Sequence, residues 1–154
     1  MPCWLQIAQG LLTPLIAIIT TYIAWQQWRA TKLKMNLDRY ERRLKIYQES
    51  HNFIAEINRD VKPELSEMFG FYSATAEADF VFPPLIREYL DELFSHANLL
   101  HSANAQYRDI YQPPPPPDYN HKEVCDTIAE HTRWFMEQPK LAKDKFKPFL
   151  NISK

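Results

Sequence analysis

The stretch that constrains this chain most is Leu5 to Trp28, LQIAQGLLTPLIAIITTYIAWQQW, 24 positions without one charged side chain. Arg29 to Lys45 follows with seven basic and two acidic side chains. A bilayer core about 30 Å thick needs roughly 20 apolar residues in helical form. The stretch is long enough. Its apolar density is highest from Leu11 to Trp25, and Gln6, Gln9 and Gly10 dilute its start. Trp4 stands near one end and Tyr22, Trp25 and Trp28 near the other, where amphipathic rings settle at two headgroup layers. A cleaved signal peptide would need a positive n-region and a small-residue cleavage site. The first residues carry no Lys or Arg and the exit reads Trp25-Gln26-Gln27-Trp28-Arg29. The expectation is a retained transmembrane helix over residues 1–28.

Charge sets its orientation. The run 29–45 carries a net +5, whereas the rest of the chain carries −6. Basic side chains mark the cytoplasmic flank. The expected topology is therefore single-pass, with the N-terminus outside and residues 29–154 cytoplasmic. Trp25, Trp28, Arg29, Lys32 and Lys34 are the expected lipid-headgroup residues, each cation near an anionic surface being worth about 1 kcal/mol. Basic charge confined to a collar beside a mildly acidic domain argues against a nucleic-acid reader. Cys3 and Cys125 then fall on opposite sides of the bilayer, so no intrachain disulfide is expected, and no Cys spacing fits a metal.

One face of the membrane stretch differs from the others. Gly10, Thr13, Ala17, Thr20, Ala24 and Gln27 recur at alternating spacings of three and four. Small side chains let helix backbones approach, and hydroxyls can bond across the contact. Leu11, Leu12, Leu15, Ile16, Ile18, Ile19 and Ile23 suit lipid. The seam predicts pairing with copies of itself or with a partner's helix. The alternative is that the Thr hydroxyls bond only their own helix.

Between Pro14 and Pro63 there is no Gly or Pro, so the membrane helix should run on to Asn58–Val61. Ala30, Leu33, Leu37, Tyr40, Leu44, Tyr47, His51 and Ile54 form a heptad-like stripe, and Ile46, Phe53 and Ile57 join late. The juxtamembrane helix is expected over 29–61, with 46–61 entering the core of a cytosolic helical domain at 62–154. Within that domain helices are expected at Pro63 to about Ala78, capped by Asp60, at Leu85 to about Tyr111, and from Asp118 or Asn120 onward. Phe80-Val81-Phe82 is read as a buried connector, Pro113–Pro117 as a stiff spacer, and Pro139 as a kink or break. The fold class is all-α: a transmembrane helix, a juxtamembrane helix and a small cytosolic bundle.

The strings Leu12-Thr-Pro-Leu-Ile-Ala17, Tyr22-Ile-Ala-Trp-Gln-Gln-Trp28 and Leu37-Asp-Arg-Tyr-Glu-Arg-Arg43, with Ile46-Tyr47, Ala78-Asp-Phe-Val-Phe82, Glu88-Tyr-Leu-Asp-Glu92, Trp134-Phe135 and Phe146-Lys-Pro-Phe-Leu150, carry a resemblance. Their order resembles a widespread group of small bacterial single-pass membrane proteins. The resemblance covers most of the chain. It implies the architecture and a bacterial origin, and it supplies no reaction. The proline run looks like a local departure from that group's connector.

The residues themselves offer no chemistry. No HExxH, Cys-x-x-Cys, P-loop or nucleophile elbow occurs. His96 and His101 are five apart, not the three or four that put two ligands on one helix face. His51 and His131 are expected to be buried and hydrogen-bonded. No catalytic, cofactor or metal residue is assigned, and no enzyme is expected. The expected function is a membrane-anchored helical interaction module. Its partners are the lipid bilayer and either a second copy or a partner membrane protein, held through the transmembrane and juxtamembrane helix. The alternative is an oligomeric membrane effector or small channel in bacterial phage defence, gated by the cytosolic domain.

Overall fold

The computed structural model describes residues 3–109 and 116–151, with side chains from Pro14 onward. All the regular structure among the described residues is helical: α1 (Cys3–Asp60), α2 (Leu65–Ala74), α3 (Ala78–Val81), α4 (Pro84–Gln106), α5 (His121–Phe146) and a 3₁₀ turn at Lys147–Phe149. The chain divides into two units, Met1–Arg39 and Tyr40–Lys154, and α1 contributes to both.

In the first unit, α1 continues through Pro14. The expected membrane span is not supported by the described residues, none of whose helices is long and apolar enough to cross a membrane. The side chains of Leu5 to Thr13 lie outside the described ones, and Pro14 to Trp28 supplies 15 uncharged positions, short of the roughly 20 that a bilayer needs.

In the second unit, α1 ends at Asp60, within the range expected from the sequence. Val61 closes it in the left-handed region, with φ 53°. Its N–H bonds the Ile57 carbonyl at 2.8 Å, and its own carbonyl accepts from Asn104 Nδ2 at 3.0 Å. A β-branched residue is a costly choice there, since glycine is what that conformation favours. Asp60 does not cap α2 as expected. It pairs with Arg59 at 2.8 Å, and the cap position falls to Glu64, whose N–H donates to Glu67 Oε2 at 3.2 Å. At α5, of the two expected candidates Asp118 and Asn120, Asn120 is the cap: its side chain accepts from the Glu123 N–H at 3.3 Å.

The core is built by α1, α2, α4 and α5 around Ile46, Phe53, Ile54, Ile57, Met68, Phe71, Leu93, Leu100, Phe135 and Phe146. Phe53 and Phe71 stack in parallel with centroids 4.2 Å apart. On α1 the buried face is Ile46, Ser50, Phe53, Ile54 and Ile57. That face lies about a quarter turn from the Tyr40–Leu44–Tyr47–His51 line of the heptad-like stripe. His51 is therefore exposed, contrary to expectation. Phe80 is corrected too: it is 88% exposed at the middle of the four-residue α3, and only Phe82 of that connector is buried.

Helix α5 does not break at Pro139. Proline has no N–H, so the Phe135 carbonyl one turn earlier loses its helical donor. Asn58 Nδ2 of α1 donates to that carbonyl at 3.1 Å instead. Next to it, Gln138 is buried. Its Nε2 donates to the Trp134 carbonyl at 3.0 Å and its Oε1 accepts from Tyr89 Oη of α4 at 3.0 Å. Burial, with Glu92 as a second cause, pushes the Tyr89 phenol well above its ordinary range, so the hydroxyl stays protonated and donates. Polar groups of three helices thus meet around one proline, with Asn58 Oδ1 left buried and without a hydrogen-bond partner.

Candidate functional site

In the first unit, Leu15, Ile16, Ile18, Ile19, Tyr22, Ile23, Trp25 and Trp28 are all exposed, Ile18 at 70%. At 100° per residue they occupy most of the helix circumference. A helix that is apolar nearly all round belongs in a core or in lipid, not against water. At its far end Arg29 sits 5.8 Å from the Trp25 ring centroid and Lys32 5.4 Å from that of Trp28. Each cation lies one turn beyond its indole, an arrangement in which an amphipathic ring and a charge share one depth. Lys34 is exposed as well.

Ala17, Thr20, Ala24 and Gln27 are exposed and share one helix face. Gly10 and Thr13 of the same seam lie outside the described side chains. The Thr20 hydroxyl bonds its own helix, to the Ile16 carbonyl at 2.9 Å and the Ala17 carbonyl at 3.0 Å, and Thr21 does the same to Ala17 at 2.7 Å. Among its described side chains the seam therefore offers small volume rather than a free hydroxyl. Of the stripe, Leu33 and Leu37 of the first unit are exposed, whereas Tyr40, Leu44 and Tyr47 of the second are half-buried.

No family model, curated protein or solved structure matches this chain. Its chemistry has to be read from its own side chains.

Two polar constellations in the second unit were not anticipated as units. The first joins α4 to α5. His96 and His131 approach with Nδ1 to Nδ1 at 2.9 Å, and the His96 ring lies parallel on Trp134 with centroids 3.8 Å apart. His131 is buried, as expected from the sequence. One ring must carry hydrogen on Nδ1 and the other must present a lone pair. Burial holds His96 below the ordinary imidazole range. His131 adds to that shift, and Glu92 and Glu130 oppose it. Thirty-five residues separate the pair, so neither helical spacing nor the His96–His101 interval discloses it. His101 turns elsewhere, its Nδ1 donating to the Pro63 carbonyl at 2.8 Å. Among the described residues no three metal-type side chains come together.

The second constellation sits at the start of α5. His121 places Nδ1 3.1 Å from Tyr119 Oη and Nε2 3.5 Å from Cys125 Sγ. The Arg108 backbone N–H donates to the same Tyr119 oxygen at 3.2 Å. Here a signal was present in the sequence: His121 and Cys125 are four apart, one turn on one helix face.

Proposed function

We propose that this chain is a membrane-anchored helical interaction module, not an enzyme. It is held in the bacterial inner membrane by Leu5–Trp28, with its helical domain on the cytoplasmic side, and it assembles with a second copy or with a partner's helix through the face of Ala17, Thr20 and Ala24. The observation that carries the reading is the exposure of apolar side chains around the helix from Leu15 to Trp28, ending in the Trp25–Arg29 and Trp28–Lys32 pairs. An apolar helix surface of that extent is stable only where water is excluded. The uncharged positions from Leu5 to Thr13 extend it to membrane length in the sequence. The likeness to small bacterial single-pass proteins points the same way, and so does the one-sided basic collar.

The test is fractionation of the full chain expressed in bacteria. Retention in the membrane pellet after alkaline carbonate washing, with release only by detergent, is the expected result. Recovery in the aqueous supernatant as a dispersed protein would overturn it.

A further inference from the structure

The cluster at the start of α5 has an arrangement that packing alone does not require. A thiol, an imidazole and a phenol stand in line, Cys125 Sγ to His121 Nε2 at 3.5 Å and His121 Nδ1 to Tyr119 Oη at 3.1 Å. The line is anchored to backbone, because Tyr119 Oη accepts the Arg108 N–H. The Tyr107 ring lies 5.6 Å from the His121 ring and the Tyr119 ring 6.0 Å from it, so two aromatic faces limit its rotation. Cys125 is half-buried and unpaired with any other cysteine, and His121 is exposed. A reagent from solution can therefore reach the sulfur.

A nucleophile within reach of a base, the base oriented by a third group, is the pattern of an activated nucleophile. The phenol oxygen has two lone pairs and can accept from the Arg108 N–H and from His121 Nδ1–H together. That tautomer leaves a lone pair on Nε2, the nitrogen facing Sγ. We propose that Cys125 is a modification site, a thiol that exchanges with low-molecular-weight disulfides, with His121 as its base and Tyr119 as the residue that positions His121. In the step, His121 Nε2 takes the thiol proton while Sγ attacks one sulfur of the incoming disulfide. The disulfide bond breaks, and its second sulfur leaves with the electron pair as a thiolate, which accepts the proton in turn. The products are a mixed disulfide on Cys125 and one free small thiol. The incoming disulfide is the only oxidant, and electrons balance without another.

The test uses the full chain carrying Cys3→Ser, so that one thiol remains, with oxidised glutathione as the probe and intact mass as the readout. At about pH 7 the rate of adduct formation on Cys125 should fall about tenfold or more in His121→Ala, the low end of what a positioned base contributes. Added imidazole should restore part of that loss, which a merely structural role for His121 would not allow. Tyr119→Phe should slow the reaction when His121 is present and have no effect when His121 is already alanine. Helical content by circular dichroism should match the parent in each variant. Equal rates for parent and His121→Ala, a loss that imidazole leaves untouched, or the absence of any adduct on Cys125 in the parent would each overturn the proposal.

Discussion

Asn58 of α1 donates its side-chain amide, at 3.1 Å, to the Phe135 carbonyl that Pro139 leaves without a helical donor. The two residues come from the first and last long helices, and the bond lies at the interface of the core. Removing the donor should orphan a backbone carbonyl, at a cost of about 1–3 kcal/mol. Asn58→Ala should therefore destabilise the domain by that order. In a Pro139→Ala background the returned N–H serves the carbonyl, so the same Asn58→Ala change should cost much less. Urea denaturation of the four proteins of this cycle measures the coupling. Equal costs in both backgrounds would mean that the proline and the asparagine are unrelated.

The His96–His131 pair should make stability fall on acidification. His96 is held below its ordinary range, so the unfolded chain takes up its proton first as pH falls. The contribution is complete above about pH 6.5, the ordinary imidazole value, and is lost as pH drops from there through the lower folded value. Both rings cannot carry protons at once without setting two N–H donors against each other at 2.9 Å. The urea midpoint should decline between pH 7.5 and pH 5, and His96→Gln should flatten that decline.

Val61 should be improvable. Its left-handed φ of 53° costs about 1–2 kcal/mol in a residue with a side chain. Glycine removes that strain and returns about 0.5–1 kcal/mol of it through the greater freedom of the unfolded chain. Val61→Gly should raise stability by up to about 1 kcal/mol, seen as a higher denaturation midpoint at unchanged slope. A lower midpoint would show that the valine side chain packs for more than its backbone loses.

The seam of the first unit should depend on size and not on hydroxyls. Thr20 already spends its hydroxyl on the Ile16 and Ala17 carbonyls. Thr20→Ala should therefore leave self-association in detergent nearly unchanged, within the threefold that corresponds to about 0.6 kcal/mol. Thr20→Leu should weaken it by about tenfold or more by holding backbones apart. If Thr20→Ala proves the more damaging change, the hydroxyl carries the contact and the seam argument fails.

Helix positions were largely legible because they depend on local pattern. The unbroken run to Asp60, a start of α4 within one residue of the expected Leu85, and a cap of α5 at Asp118 or Asn120 could be read from neighbouring residues. The buried face of α1 was less legible, since two overlapping apolar lines, Tyr40–Leu44–Tyr47–His51 and Ile46–Ser50–Phe53–Ile57, differ by a quarter turn and only the partners of α1 decide between them. At Pro139 the sequence left a kink and a break both open, because the compensation that keeps α5 unbroken comes from Asn58, which is distant in sequence. The His96–His131 pair was hidden for the same reason. The His121–Cys125 spacing was visible, and it gained meaning only once Tyr119 was seen to close the line.

The parallel stacking of His96 on Trp134 also gives the domain an optical reporter. A protonated imidazole quenches a neighbouring indole more strongly than a neutral one. Of the four tryptophans, Trp4, Trp25 and Trp28 belong to the first unit, so replacing those three with phenylalanine leaves Trp134 as the only emitter. Its fluorescence would then register the protonation of His96 in the intact protein and separate it from loss of the fold.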